Sequence, residues 1–315
     1  MADSTLLTLF LPIALAILMA GLGLHLTRAD FARVLRQPRA VLVALMVQAL
    51  ALPPVAFALA WSLKLPPELA VGLVLLSASP GGVTANIFSH LARGDVALNV
   101  TLTAVNSALA LVTLPLWTGL ALQFFLDSEN AVPPPLRKLI EVAVIVVVPV
   151  VLGMVLRAWW PKLADMAEKP VRVLSTLLLV VLILLAIVGQ FDVLRDYAAV
   201  VGIACLAFNL ISLFSGYFAG LVTRLGRPQA IAIGFEISVH NSTLAIILAL
   251  QVLGSEAIAI PAAVYAVLMY PVAAGFTYWL NRRSWSEAAG ARQRHGEQKL
   301  VGQVLGYRRL AGKPL

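Results

Sequence analysis

Residues 231–250 read IAIGFEISVHNSTLAIILAL, an apolar stretch of membrane-span length that carries a single acid, Glu236. No Lys or Arg occurs between Arg227 and Arg282, so no basic residue lies near this acid along the chain. An ionised carboxylate at bilayer depth is costly unless a partner neutralises it, and such an acid therefore marks a functional site. The polar run from Ser238 to Thr243 interrupts the helix that the apolar residues would form. The stretch predicts a broken membrane helix beside a buried ionisable group.

A second polar interruption, SASPGGVTAN at residues 77–86, lies earlier in the chain. Pro80 removes a backbone donor and clashes with the preceding turn, while Gly81 and Gly82 admit unusual backbone angles. The carbonyl groups freed at such a break need partners inside a membrane, and a bound cation is one such partner. We therefore predict a structural helix break at Pro80, Gly81 and Gly82.

Both interruptions contain an asparagine where a second half-helix would begin, Asn86 in the first and Asn241 in the second. Helix N-termini carry partial positive charge and free N–H groups, which suit an anion. If the two broken helices cross at mid-membrane, these ends face a substrate carboxylate. An alternative role for both asparagines is hydrogen bonding between helices.

The composition indicates an integral membrane protein. Of its 315 residues, 61% are hydrophobic and 12% are charged, against about a quarter charged in soluble domains. A membrane helix needs about 20 mostly apolar residues. Nine such spans are predicted, at 5–26, 39–62, 68–92, 96–125, 137–158, 170–188, 197–223, 229–253 and 258–281. Pro53-Pro54 and Pro115 are interpreted as kinks within two of these spans.

The net charge of +8 reflects topology rather than a nucleic-acid partner. With the N-terminus outside, 19 of the 23 Lys and Arg residues fall on the cytoplasmic side, as the positive-inside rule requires. The C-terminus is then cytoplasmic, and residues 282–315 form a basic tail there. We expect membrane lipid as the surrounding partner, no protein partner, and a bacterial inner membrane as the location of so compact a chain.

The two breaks fall in predicted spans three and eight, which run in opposite directions because their positions in the chain differ by five, an odd number. Two such broken helices are typical of inverted-topology repeats in secondary transporters. The Pro-rich segment 127–136 is the best internal boundary. The predicted fold is therefore an all-α membrane protein of nine helices, with inverted repeats and two crossed discontinuous helices.

Na⁺ is a hard cation that prefers oxygen ligands. The candidate oxygens belong to break carbonyls and to the side chains of Gln48, Asn86, Asn99, Thr103, Glu236 and Asn241. Asn99, Thr103 and Asn106 have the spacing i, i+4, i+7 and share one helix face. A competing interpretation pairs Glu236 with His240 four residues on, but the break removes the helical geometry that this contact needs.

The segments SPGG at 79–82, LARGDVAL at 91–98 and FEISVHNS at 235–242, with Asn86, resemble the bile acid:sodium symporter family over roughly residues 10–280. The chain is similar to the nine-span form that lacks the first of ten spans. The resemblance implies a panel domain at 5–26 and 137–188 and a core domain at 39–125 and 197–281.

The resemblance also implies two sodium sites with a substrate site between the domains. One sodium site uses Asn86, Asn99, Thr103 and Glu236, and the other uses Gln48, Glu236, Ile237, Val239 and His240. The substrate site is expected at Thr84, Ala85, Asn241 and Ser242. The chain has Ala85 where a hydroxyl residue is usual, and His240 where Gln is usual. One or two sodium ions are therefore expected, and His240, which titrates near neutral pH, is expected to add a pH dependence.

The function that these features favour is sodium-coupled symport of an organic anion by alternating access. The anion is expected to be a carboxylate, with a bile-acid-like molecule among the candidates. The alternative within this class is a proton-coupled or uncoupled organic anion transporter that uses Glu236 and His240. A sensor with a transporter fold is a further alternative. An enzyme is not expected, because the chain contains neither His-Glu-x-x-His nor Gly-x-Ser-x-Gly.

Overall fold

The structure, a computed structural model, describes residues 34–82, 84–126, 151–167 and 191–282, with isolated positions at 16–17, 20–21, 23–24, 32, 148–149, 170, 173–174 and 177. Every regular element in these ranges is a helix. Most of the predicted panel domain (5–26 and 137–188), the segment 127–136 and the tail after residue 282 lie outside the described residues. The all-α membrane architecture is confirmed for the part of the chain that is described.

Eight helices position the site: α1 (Pro38–Ser62), α2 (Pro67–Ala78), α3 (Ala85–Leu91), α4 (Val96–Phe125), α5 (Phe191–Val222), α6 (Arg227–Glu236), α7 (Ser242–Gln251) and α8 (Glu256–Arg282). Two further helical stretches cover 151–159 and 161–167. The chain forms two compact units, 1–273 and 274–315, and the described part of the second is the last turns of α8.

In the described part of the chain, three helices are long and apolar enough to cross a membrane: α1, α8 and the Tyr197–Val222 part of α5. The bent helix α4 makes a fourth if its two halves count as one span. By contrast, α2 and α7 are apolar but only 12 and 10 residues long. Predicted spans three and eight are therefore each divided into two helices, as their polar interruptions predicted.

Pro53 distorts α1, and Pro115 distorts α4. In each helix the proline ring displaces the carbonyl group of the residue four positions earlier. In α1 a π-helical turn, Met46–Ala51, precedes Pro53, and the Ala49 carbonyl accepts a hydrogen bond from Trp117 Nε1 at 2.9 Å. In α4 the halves Val96–Ala110 and Val112–Phe125 are inclined by 54°, around the position four residues before Pro115. Both were predicted as kinks.

The two helix breaks pair with each other through their backbones. Gly81 and His240 form an isolated antiparallel bridge. The Gly82 N–H donates to the Val239 carbonyl at 2.6 Å, and the Asn241 N–H donates to the Pro80 carbonyl at 2.8 Å. Each break therefore satisfies polar groups that the other has freed from helical bonding.

Small residues allow α5 to pack closely on α6. A Cβ added at Gly220 would lie 2.7 Å from Ala230 Cα, and one added at Gly216 would lie 3.1 Å from Gly234 Cα. On each helix the two small residues are four positions apart: Gly216 and Gly220 on α5, Ala230 and Gly234 on α6. This spacing of small residues lets two membrane helices approach closely. This packing holds α6, and the acid at its end, against a long helix.

The close approach predicts that Gly220→Ala lowers the midpoint of thermal unfolding in detergent by several degrees. Overpacking costs about 1–3 kcal/mol, and each kcal/mol shifts the midpoint by roughly 2–4 °C in a chain of this size. The control is Gly202→Ala on the same helix, where an added Cβ meets no heavy atom within 4 Å. That variant should unfold at an unchanged or higher temperature, and an equal loss in both would contradict the packing argument.

Candidate functional site

Glu236 is the last residue of α6 and its side chain is fully buried. Thr103 Oγ1 donates to Glu236 Oε2 at 2.6 Å, and Asn106 Nδ2 donates to Glu236 Oε1 at 3.1 Å. Among the described residues, no basic side chain forms an ion pair with this carboxylate. Neutral donors therefore orient the acid without neutralising its charge.

The geometry follows from the local sequence of three elements. Thr103 and Asn106 are three residues apart on α4, so both side chains reach the same point. Gly81 lies so close to Glu236 that an added Cβ would overlap the carboxylate and the backbone carbonyl. The first break therefore approaches Glu236 this closely only because residue 81 is a glycine.

Several buried oxygen atoms in the described core lack a hydrogen-bond partner. There are eight such oxygens: Gln48 Oε1, Asn86 Oδ1, Ser89 Oγ, Asn99 Oδ1, Asn106 Oδ1, Thr118 Oγ1, Asn209 Oδ1 and Ser242 Oγ. Leaving a buried polar atom unsatisfied costs about 1–3 kcal/mol, and each such atom in a native structure needs an explanation. Five of the eight are amide oxygens, which accept hydrogen bonds or bind a cation but cannot donate. Their chemistry suits a hard cation.

Asn99 is oriented by the helix that carries the acid. Its Nδ2 donates to the Ala232 carbonyl at 2.7 Å, which leaves Oδ1 as the free end of the amide. Thr103 Oγ1 also lies 3.1 Å from the Asn99 carbonyl, and its single O–H goes to Glu236, the shorter of the two contacts. The predicted pair Thr103–Glu236 is thus in direct contact, whereas Asn99 lies beside it without a bond to the carboxylate.

Gln48 and His240 meet at the carbonyl of Ser79 rather than at Glu236. Gln48 Nε2 donates to this carbonyl at 2.9 Å, and His240 Nδ1 lies 3.0 Å from it. A carbonyl only accepts, so Nδ1 carries the proton, and Nε2 of the neutral ring is an acceptor. Nε2 is buried without a partner in the described structure. The alternative pairing of His240 with Glu236 is not formed, because His240 turns to the other break.

The remaining predicted cation ligands lie in or next to the paired turn. Ile237 and Val239 are fully buried, and the Val239 carbonyl accepts the Gly82 N–H. Asn86 lies in the first turn of α3, and its buried Oδ1 has no bond to Glu236. The structure therefore gathers these groups around the breaks but joins only Thr103 directly to the acid.

The predicted substrate residues divide into two pairs by their burial. Thr84 and Asn241 are half-buried at the starts of α3 and α7, and Asn241 Oδ1 accepts the Leu244 N–H at 3.1 Å. Ala85 and Ser242 are buried. Thr84 and Asn241 are therefore the members of the set that a substrate could reach, and their role stays a prediction.

Asn106 was not predicted as a site residue, although it contacts Glu236 directly. The signal was present in its spacing from Asn99 and Thr103 on one helix face. What the spacing could not show is that this face lies against Glu236, because the packing of α4 on α6 is a long-range contact.

Comparison with known proteins places these features in a family context. The sequence model of the Sodium Bile acid symporter family matches residues 12–196. The protein named "Uncharacterized sodium-dependent transporter YocS" of Bacillus subtilis (strain 168) is 29% identical over 82% of this chain and 78% of its own length. "Probable sodium/metabolite cotransporter BASS2, chloroplastic" of Oryza sativa subsp. japonica is 30% identical over 86% of this chain. "Sodium/bile acid cotransporter 4" of Rattus norvegicus is 30% identical over 70% of it. The matched regions span 64% of the rice protein and 51% of the rat protein.

Proposed function

The chain belongs to the sodium bile acid symporter family, and we propose that it is a sodium-coupled transporter of an organic anion. The observation that carries the proposal is the buried carboxylate of Glu236, which has no basic partner among the described residues and lies in a core with unsatisfied amide oxygens. A buried anion needs a neutralising charge, and the described residues supply only neutral donors there. A cation from solution is the missing partner.

The ligand set favours a monovalent cation over a divalent one. Calcium sites are built from several carboxylates and carbonyls, whereas this site holds one carboxylate among neutral amides and a hydroxyl. The described residues contain no group of three or more His, Cys, Asp or Glu that could hold a metal ion. A single positive charge balances a single Glu236, and the names of the relatives quoted above specify sodium.

We place the first sodium ion at Glu236 with Thr103, Asn99, Asn106 and Asn86. The contacts of Thr103 and Asn106 with the acid and the unpartnered buried oxygens of the three asparagines support this site. A second site would use Gln48, Glu236, His240 and the backbone of Ile237 and Val239. The unpartnered Gln48 Oε1 and His240 Nε2 support it. Because this second site includes a nitrogen ligand and Ala85 supplies no side-chain oxygen, we propose one or two bound sodium ions.

Two symmetry-related capping contacts support an inverted repeat. Asp95 Oδ1 accepts the Leu98 N–H to cap α4, and the Asp95 N–H bonds the Pro228 carbonyl at the start of α6. Ser255 Oγ accepts the Ile258 N–H to cap α8 and also donates to Glu68 at the start of α2. Helices α1–α4 and α5–α8 are thus proposed as the two repeats of the core domain.

Coupling follows from the position of the cation between the breaks. Glu236 lies under Gly81, so neutralising the acid would stabilise the paired arrangement of the two broken helices. The anion would then bind at Thr84 and Asn241, on the starts of α3 and α7, where helix N-termini favour negative charge. Movement of the core against the panel (5–26 and 137–188) would expose the site alternately to each side, through the ligands' different affinities for the two states.

The membrane orientation proposed from the charge distribution is N-terminus outside and C-terminus cytoplasmic, across nine spans in a bacterial inner membrane. A carboxylate is proposed as the substrate because the residues expected to meet the anion, Thr84 and Asn241, lie at helix starts, which favour negative charge. A proton-coupled carrier is the second candidate, since His240 Nε2 is a buried proton acceptor.

Sodium binding is tested by thermal unfolding of the detergent-purified protein in NaCl, KCl or choline chloride. A ligand present at 100 times its Kd stabilises the folded state by about 2.7 kcal/mol, so a sodium-specific rise in the midpoint is expected. Glu236→Ala should abolish the rise. A wild-type midpoint that is the same in all three salts across pH would reject the sodium sites in favour of proton coupling.

A matched threonine pair sharpens the same measurement. Thr103→Val removes the hydrogen bond to Glu236 and should raise the half-saturating sodium concentration about tenfold, since a bond to a charged group contributes about 1.5–3 kcal/mol. Thr101→Val, two residues earlier, removes only a local bond to the Ala97 carbonyl from an equally buried site. It should leave the sodium dependence unchanged, and equal effects of the two substitutions would contradict the assignment of Thr103.

Transport is tested in proteoliposomes with carboxylates that raise the unfolding midpoint in sodium. An inward sodium gradient should drive accumulation of the labelled anion above its external concentration, and a potassium gradient should not. Accumulation driven by a proton gradient without sodium would support the second candidate. Binding with no accumulation under either gradient would identify a sensor.

His240 is tested by measuring uptake of the identified substrate at pH 6 and pH 8. Protonation of Nε2 would place a positive charge at the proposed second cation site and weaken sodium-driven uptake, so any loss that depends on His240 should appear as the pH falls. His240→Gln removes the titrating group and should flatten the difference. Identical profiles for the wild type and the variant would remove His240 as the source of any pH dependence.

A further inference from the structure

A closed triangle of hydrogen bonds lies at the turn that follows Glu236. Tyr265 OH donates to the Ser238 carbonyl at 2.6 Å. Asn209 Nδ2 donates to the same carbonyl at 3.0 Å and to Tyr265 OH at 2.7 Å. Asn209 belongs to α5 and Tyr265 to α8, and both side chains are buried. Side chains of two long helices therefore donate hydrogen bonds to one carbonyl group of the non-helical segment between α6 and α7.

The three atoms of the triangle lie so close together that Asn209 directs one N–H at both of its acceptors, while the single O–H of Tyr265 goes to the Ser238 carbonyl. Asn209 Oδ1 is buried without a partner among the described residues. Both bonds of the Asn209 amide in this triangle are therefore donated, and together with the Tyr265 O–H they fix the Ser238 carbonyl.

The same two helices also hold the ring of His240. Phe208, next to Asn209 on α5, stacks on the imidazole with ring centroids 5.6 Å apart and planes 25° apart. Tyr265 meets the imidazole edge-on, also at 5.6 Å. Side chains of α5 and α8 therefore contact the segment 238–240 at its first and last residues. The Pro80–Gly82 break pairs with the same segment through backbone hydrogen bonds.

The segment 238–240 depends on these external contacts because it is not helical. With both donors on it, the Ser238 carbonyl has no lone pair directed elsewhere, so it is not a ligand. Its neighbours Ile237 and Val239 carry the backbone groups assigned to the second cation site. A small rotation of the Ser238 peptide would turn those groups away from the site.

We propose that Asn209 and Tyr265 are positioning residues that set the sodium affinity of the transporter by fixing the orientation of the Ser238 peptide. They do not touch the cation. The proposal rests on the proposed function, since it gives these residues a role in a sodium site. It gives a functional role to the buried cluster of Asn209 and Tyr265, which contributes no ligand to the proposed cation sites.

The test compares Tyr265→Phe with Tyr270→Phe, a hydroxyl removal five residues along the same helix, where the ring stacks on Phe88. Half-saturating sodium is measured from thermal unfolding titrations against choline chloride at constant ionic strength. Loss of the Tyr265 hydroxyl should raise it about threefold to tenfold, and Tyr270→Phe should leave it unchanged. Asn209→Ala should act in the same direction.

A double variant separates positioning from general weakening of the fold. Because both side chains act on one carbonyl, the effects of Tyr265→Phe and Asn209→Ala on half-saturating sodium should not multiply when the two are combined. Lower unfolding midpoints in choline with unchanged half-saturating sodium would show a merely structural role and overturn the proposal. Should Tyr265→Phe fail to fold, Asn209→Ala alone decides by the same criterion.

The wild-type titration separates a failure of the proposed function from a failure of the positioning role. If the wild type shows no sodium-specific stabilisation, the proposed function fails and the role of this cluster in sodium binding falls with it. If the wild type responds and Tyr265→Phe behaves like Tyr270→Phe, sodium binding stands and only the positioning role is overturned.

Discussion

Backbone groups that leave a helix inside a membrane must find partners within the protein, and the two helix breaks of this chain find them in each other. The bonds from Gly82 to Val239 and from Asn241 to Pro80 are short and reciprocal. They hold two discontinuous helices at one point, where neither half is long enough to span a bilayer alone. The rest of the described core packs around this pairing, with α2 and α7 almost wholly buried.

The pairing brings an acid into the core at a position where the described part of the chain offers it no counter-charge. Glu236 ends α6 next to Gly81, and the side chains seen to donate to it are neutral. The unsatisfied oxygens of Asn99 and Asn106 belong to the helix that orients the acid. Buried polar groups in native proteins are almost always paired, so we propose that a cation completes these. On that proposal, the contacts that close the breaks also form the site, and its occupancy would stabilise the closed arrangement.

Membership of the symporter family and the geometry of this core give complementary information. The family comparison bears on sodium coupling, through relatives that carry sodium in their names. The geometry bears on this chain's own features: a direct contact from Asn106, a histidine committed to the Ser79 carbonyl, and a polar cluster on α5 and α8 that holds Ser238. The proposed ion stoichiometry and pH dependence rest on these features of the chain and not on the names of its relatives.

The sequence by itself determined where the helices break and which residue carries the buried charge, because both depend on local composition. Pro80, Gly81 and the polar run after Glu236 cannot continue an apolar helix, and an acid without nearby Lys or Arg is visible from the residue order alone. Helical spacing also placed Thr103 and Asn106 on one face. Only the tertiary structure decided which partners these residues meet: Asn106 rather than Asn99 contacts Glu236, His240 turns to Ser79, and Asn209 joins Tyr265 from another helix. Such pairings join residues 27 to 161 positions apart, and they follow from the packing of whole helices, which no local pattern encodes.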